Sequence, residues 1–379
     1  MESEVQELMT IRVLFDDQIF QLQKHGGISR YFSELIREFN QSPELGIEPV
    51  LTSTHSLNNH LLNDSGLTSL KKNTPLTGLI RLLIQSTFRG SPNQPTVDLV
   101  HHTFYLPGFF SKWPGIPKVS TLHDMIPERF PAKNRLWNPH FSKRLYLEKS
   151  DLLLSVSKSS SQEMAILFRL DRPVQVTYLG VSSQFQPGLP RPLALSEQYL
   201  LYVGNRGGYK DFETGLKAFA SIAQTFPEVK LQLVGGGKLS RAEQKLIARL
   251  GVADRVNQSD VKSEDLPSFY SNAVALVYTT HYEGFGLPLV EAMASGTPIL
   301  CASTTINEEV CGKAGSFFEP GAHTHLAALM SEVLQVPANF TPKVKLGLEI
   351  SKTFSWRRCA EETASAYKSL LAQRKASGL

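Results

Sequence analysis

A chain of 379 residues with this pattern predicts an α/β protein of two doubly wound parallel-sheet domains. Three observations carry that expectation. Short β-branched runs alternate with helical stretches, as parallel strands with crossover helices require. A proline-rich segment interrupts the alternation, which then restarts, and the length exceeds the roughly 250–300 residues at which one core stops growing.

In order, the first strands are read at IRVLF 11–15, VDLVHH 97–102, KVSTLH 118–123, DLLLSVS 151–157 and VQVTYL 174–179. Pro187, Pro190 and Pro192 then mark an extended linker, placed at 182–197, because proline holds its neighbours out of the helical region. This leaves an N-terminal domain over 1–181. A second domain over 198–354 holds the strands YLLYVG 199–204, VKLQLVG 229–235, AVALVY 273–278 and TPILC 297–301. The closing stretch 355–379 has helical periodicity, with Trp356, Ala360, Ala364, Tyr367 and Leu371 toward one side. It is expected to pack, crossing back to the N-terminal domain.

The composition, 41% hydrophobic and 20% charged, is that of a folded globular chain. A net charge of +4 is too small to imply a nucleic-acid partner. The charge is uneven, however: residues 71–149 carry twelve Lys or Arg against four Asp or Glu. Such an excess suits an anionic surface or a phosphorylated acceptor, and equally a solvated basic face. Cys301, Cys311 and Cys359 lack C-x-x-C spacing, which fits a reducing compartment. The opening MESEVQELMT has no apolar core of a secretory signal, and no apolar run approaches the roughly 18 residues of a membrane span. A cytoplasmic or peripheral protein is expected.

The chemistry concentrates in HYEGFGLPLVEAMASGTPIL, 281–300, where Glu283 and Glu291 bracket seven residues. Gly284, Phe285 and Gly286 form a turn into a helix expected from Leu287. Such a helix start presents N–H groups and a positive dipole end to an anion. The alternative is a solvated glutamate pair at an ordinary helix start. Gly26 and Gly27 fall between the first strand and a helix expected near Ser29, where missing side chains let phosphate approach the backbone. His123 and Asp124 stand at a strand end, as functional residues of open sheets do, although a core or capping pair would look the same. For His101 and His102 a structural role is at least as plausible.

EGFGLPLVEAMASGTPI resembles the donor-binding signature of family 4 glycosyltransferases. YVGNRGGYKDFETGLKAF resembles that family's diphosphate loop and helix, GGISRYFSEL its N-terminal glycine loop, STLHDMIPERFP its central histidine segment and FSWRRCAEETASAYKSLL its closing helix. The resemblance implies GT-B architecture, two Rossmann-like domains facing across a cleft, and a retaining, metal-independent transferase. By the same resemblance Arg206 and Lys210, after the strand end at Gly204, would neutralise the donor diphosphate, and His123 would contact the donor sugar or its phosphate. Glu291 would hold the ribose hydroxyls. Glu283 would lie near the sugar, with backbone groups of Phe285, Gly286 and Leu287, and Ser259, Asp260 and Val261 would border the base. Front-face transfer and double displacement both remain open.

No Asp-x-Asp motif occurs, Asp16 and Asp17 being adjacent, and His323 and His325 lack a partner at ligand spacing; no metal and no cofactor are expected. A dehydrogenase would need G-x-G-x-x-G, which is absent; Gly235, Gly236 and Gly237 do not continue that pattern. A nucleotide-sugar epimerase and a catalytically silent sugar-nucleotide-binding protein are the remaining rivals. The resemblance is strongest to bacterial members handling mannose-type sugars, so a GDP-sugar is the expected donor and a UDP-sugar the alternative. The acceptor would be a saccharide or lipid-linked saccharide. Residues 76–91, with Leu79, Ile80, Leu82, Leu83 and Phe88 beside Arg81 and Arg89 and near Lys71 and Lys72, read as a core helix or as a weak contact with an anionic membrane.

Overall fold

The computed structural model describes residues 10–52, 55, 56, 58, 61, 71, 72, 96–131, 142–192, 195 and 198–378. The proposed interfacial segment 76–91 lies outside the described residues. The chain divides into two compact units, Met1–Leu179 with Trp356–Leu379, and Gly180–Ser355.

The first unit holds β1 (Ile11–Phe15), β2 (Ile47–Leu51), β3 (His55–Ser56), β4 (Lys71–Lys72), β5 (Leu99–His102), β6 (Lys118–Leu122), β7 (Leu152–Ser155) and β8 (Gln175–Val176). Six of these form one sheet in the order β2-β1-β5-β6-β7-β8, every pairing parallel. Its central strands are buried on both faces, hence their unbroken apolar runs. Helices α1 (Gln18–Leu22), α2 (Gly27–Gln41), α3 (Ile126–Arg129), α4 (Lys143–Lys149) and α5 (Lys158–Phe168) connect them. On α2 the buried Tyr31, Phe32, Leu35, Ile36 and Phe39 form the stripe that seats it.

The second unit repeats the plan with β9 (Tyr199–Val203), β10 (Lys230–Val234), β11 (Val256–Ser259), β12 (Ala275–Tyr278), β13 (Ile299–Ala302) and β14 (Gly315–Phe318). Its order is β11-β10-β9-β12-β13-β14, again all parallel. Helices α6 (Phe212–Ile222), α7 (Arg241–Arg249), α8 (Leu266–Ser271), α9 (Leu287–Ala294), α10 (Thr305–Cys311), α11 (His323–Gln335) and α12 (Thr341–Ser351) cover it. Leu200, Leu216, Phe219, Leu231, Val277, Leu300, Leu326 and Met330 fill one core between α6, α11 and the sheet. The strand order reverses between β9 and β12, and in the first unit between β1 and β5. At such switch points an open sheet leaves a crevice beyond the strand ends.

Helix α13 (Trp356–Ala376) belongs to the first unit. Its buried stripe runs Trp356, Ala360, Ala364, Tyr367 and Leu370, so Leu370 takes the place expected of Leu371. The Tyr367 hydroxyl meets His101 Nδ1 at 2.5 Å, and Arg374 pairs with Asp151 at 2.8 Å.

Candidate functional site

At the switch point of the second sheet, β9 ends at Val203 and the chain turns at Gly204, φ +107. An L side chain is strained there, and a Cβ would meet no atom within 4 Å. The backbone thus faces open space at the strand end. Beyond it a short turn over Gly208–Lys210 leads into α6, whose start is capped by Asp211, its side chain accepting from the Thr214 amide.

Lys210 is fixed from both strands that flank the switch point. Its carbonyl accepts from the Thr279 hydroxyl at 2.7 Å and the Tyr202 hydroxyl at 3.4 Å. Its ammonium pairs with the Glu283 carboxylate and lies 5.3 Å from the Tyr209 ring centroid. Both partners are mostly buried, at 20% and 10% side-chain exposure. A cation and a carboxylate are therefore held together at the switch point, anchored from β9 and from the end of β12.

Glu283 leads into the predicted glycine turn, where Gly286 has φ +99 and caps α9, which begins at Leu287 as expected. The first turn offers fewer amides than its sequence implies. Pro288 has no N–H, and the Leu289 N–H returns to the Gly286 carbonyl at 2.9 Å. Behind the turn lies Tyr278, whose hydroxyl is 3.6 Å from where a Cβ on Gly286 would stand. Burial, reinforced by the Glu283 carboxylate, pushes its phenol well above the ordinary range. It therefore stays a neutral O–H. On α9, Glu291 is buried at 3% exposure and accepts from the Tyr270 hydroxyl at 2.8 Å.

Arg206 takes a different direction from Lys210. Its side chain is 2% exposed and pairs with Glu243 at 2.8 Å. The guanidinium also donates to the carbonyls of Gly235 and Gly237, each at 2.8 Å. These glycines, with Gly236, make a turn in which three successive residues have φ of +75, +70 and +70. A Cβ on Gly236 would stand 2.6 Å from the Gly204 carbonyl oxygen. The triple glycine is thus a close-packed turn clasped by Arg206, and it supports the loop that carries Lys210. Asp260 and Val261 follow β11, two strands from β9. Asp260 is exposed and Val261 half-buried.

In the first unit, Gly26 and Gly27 do not follow the first strand directly, because α1 intervenes. Helix α2 starts at Gly27 rather than Ser29. A Cβ on Gly26 would overlap the Gln23 side-chain oxygen, 2.2 Å away, whereas one on Gly27 would meet nothing. His123, 7% exposed, packs edge-on against Tyr31 and Phe32 of the same helix, at 5.2 and 5.6 Å between ring centroids. The Asp124 carboxylate accepts from the Ile126 amide at 2.9 Å, at the start of α3. Lys143 donates to the Asp124 carbonyl at 2.7 Å and to Glu128 at 2.9 Å, which pins the turn after His123. His101 bridges Tyr367 and the Thr121 hydroxyl, the latter at 2.7 Å. His102 Nδ1 bonds Asp16 at 2.7 Å. Both histidines are buried within the fold.

Sequence reasoning missed Tyr202, Tyr270, Tyr278, Thr279 and Glu243. Tyr278 and Thr279 had a readable signal, since polar atoms at the end of an apolar strand are the ones that reach a switch point. Tyr270 and Glu243 had none, because their partners are far away in sequence. Among the described residues no helix is long and apolar enough to cross a membrane.

Residues 190–343 match the family described as glycosyl transferases group 1, and residues 25–185 match glycosyltransferase family 4. The O-antigen chain mannosyltransferase B of Escherichia coli is 31% identical, over 72% of this chain and 75% of its own. The MMP alpha-(1->4)-mannosyltransferase of Mycolicibacterium hassiacum is 29% identical, over 68% and 67%. Among solved structures, sucrose-phosphate synthase from Thermosynechococcus elongatus superposes with a TM-score of 0.71 at 20% identity, covering 96% of this chain and all of that one, which bears on the fold. With these likenesses joined to two parallel sheets and the Lys210–Glu283 pair at a switch point, the chain belongs to the family 4 glycosyltransferases of GT-B architecture.

Proposed function

We propose that this glycosyltransferase moves a mannose-type hexose from a GDP-sugar to a saccharide or lipid-linked saccharide, with retention at the anomeric carbon and without a metal. The observation that carries the reading is the Lys210–Glu283 pair, its lysine anchored by Tyr202 and Thr279 from the two strands that flank the switch point. A nucleoside diphosphate gathers negative charge as it leaves, and a cation fixed in advance stabilises that charge more in the transition state than in the substrate. Lys210 takes this role. Glu283 faces the sugar, Glu291 takes the ribose hydroxyls, and His123 contacts the sugar or its phosphate. Arg206 acts through the glycine turn that it clasps. The mannose assignment draws on two curated relatives whose names are mannosyltransferases. The reaction is placed at the cytoplasmic face, with weak anionic membrane contact.

The test is acceptor-dependent release of nucleoside diphosphate from GDP-mannose and from UDP-glucose, in buffer with and without EDTA, with the anomeric configuration of the product read by NMR. Release from GDP-mannose that survives EDTA and gives an α-linked product supports the reading. Magnesium-reversible loss of activity overturns the metal-free mechanism, and turnover from UDP-glucose alone overturns the donor. A donor sugar altered without acceptor would make the protein an epimerase.

A further inference from the structure

We infer that Tyr270 is a positioning residue for nucleotide binding, acting through Glu291; the inference rests on the ribose role proposed for Glu291. Tyr270 lies in the last turn of α8, and its side chain is fully buried. Its ring packs edge-on against Phe185 at 5.6 Å between centroids. Its carbonyl accepts from the Thr297 hydroxyl at 2.7 Å, and Thr297 itself follows the end of α9. The residue is therefore held both at its ring, by Phe185, and at its main chain, by Thr297. From that seat the hydroxyl donates to Glu291 Oε2 at 2.8 Å.

A glutamate carries three side-chain torsions, and a carboxylate that must accept from two adjacent ribose hydroxyls needs its plane fixed as well as its position. The phenol supplies this. Each carboxylate oxygen has lone pairs for two bonds, so an Oε2 already accepting from Tyr270 can still accept from a ribose hydroxyl. The hydrogen bond to the charged group is of the stronger kind, and it orients Glu291 before any ligand arrives. Removing the hydroxyl leaves ring, helix and core unchanged. It takes away a bond that orients the carboxylate, at a cost met when the nucleotide binds.

The experiment measures calorimetric affinity for GDP and UDP, using whichever binds the wild type more tightly, in Tyr270→Phe, Glu291→Gln and the double variant. Unfolding midpoints measured alongside separate a folding defect from a binding defect. Tyr270→Phe is expected to weaken binding about fivefold to tenfold. In the Glu291→Gln background the same change is expected to add less than about twofold, because contacting residues are non-additive. Donor KM should rise while kcat stays nearly constant, the signature of lost uniform binding. The wild-type preference for the ribonucleotide over its 2′,3′-dideoxy analogue should shrink in Tyr270→Phe. Penalties that multiply fully in the double variant would overturn the inference, as would wild-type affinity in Tyr270→Phe beside a weakened Glu291→Gln. Wild-type affinity in Glu291→Gln would instead overturn the ribose role of Glu291, and the inference with it.

Discussion

Lys210 and Arg206 are four positions apart, both cationic and both just beyond one strand end, yet their surroundings give them different work. Lys210 has its main chain anchored and its ammonium on Glu283 at a partly open site. Arg206 is buried against carbonyls of the glycine turn and Glu243. Lys210→Ala is therefore expected to lower turnover and donor affinity at least tenfold with little change in unfolding midpoint. Arg206→Ala is expected to lose about 2–4 kcal/mol of stability, since buried carbonyls lose their donors and Glu243 its partner. Thermal unfolding beside donor kinetics checks both; equal midpoints in the two variants would contradict the contrast. Both cations were legible in the sequence as residue types after a strand. Their directions were not, because nothing local distinguishes an Arg facing solvent from one folded onto a turn some thirty residues later.

Among the elements, the glycine turns divide by what surrounds them. Gly236 combines φ +70 with a Cβ position 2.6 Å from the Gly204 carbonyl oxygen. Gly204 has φ +107 and open space. Gly236→Ala must move backbone and is expected to cost more than about 2 kcal/mol, whereas Gly204→Ala bears the conformational strain alone, about 1–2 kcal/mol. In Gly204→Ala the new methyl enters the space beyond β9, so donor KM should rise more than the stability loss suggests. Denaturant midpoints and donor KM for the pair decide this. The same scale shows which strands were readable. Central strands stood out as apolar runs because both their faces are covered. Within the two main sheets the strands passed over, β2, β11 and β14, are all edge strands: β2 contains Pro49, and β11 reads VNQS with its residues exposed or half-buried. β14 reads GSFF, mostly buried but with only two large apolar residues, the exposure of β11 weakens its pattern, and proline is tolerated at an edge. The motif-bearing turns were legible because glycine and helix-start chemistry is local.

For the molecule as a whole, acid sensitivity has an identifiable contributor. Burial, and secondarily the neighbouring His102, hold His101 down to about 3, against about 6.5 for an exposed histidine. Between these values the unfolded chain binds a proton that the folded chain refuses. The stability contributed is therefore complete above about pH 6.5 and declines as pH falls toward 3. Midpoints measured from pH 7 to pH 4 should fall, and His101→Gln should flatten that slope; an unchanged slope would count against His101.

Helix α13, contributed by the last stretch of the chain, has a consequence for the order of events on the ribosome. The first unit is a composite of two segments that bracket the whole of Gly180–Ser355. While the polypeptide emerges, His101 has no Tyr367 to meet and Phe39, 6.3 Å from that ring in the finished fold, lacks that part of its cover. Domains usually fold in the order they are made. Here the unit begun first is the last to be finished, and the continuous middle segment can mature ahead of it. A chain stopped after Ser355 should accordingly keep a protease-resistant fragment near Gly180–Ser355 while the preceding part is digested or aggregates. Equal resistance of both parts would show that the first unit closes without its final helix.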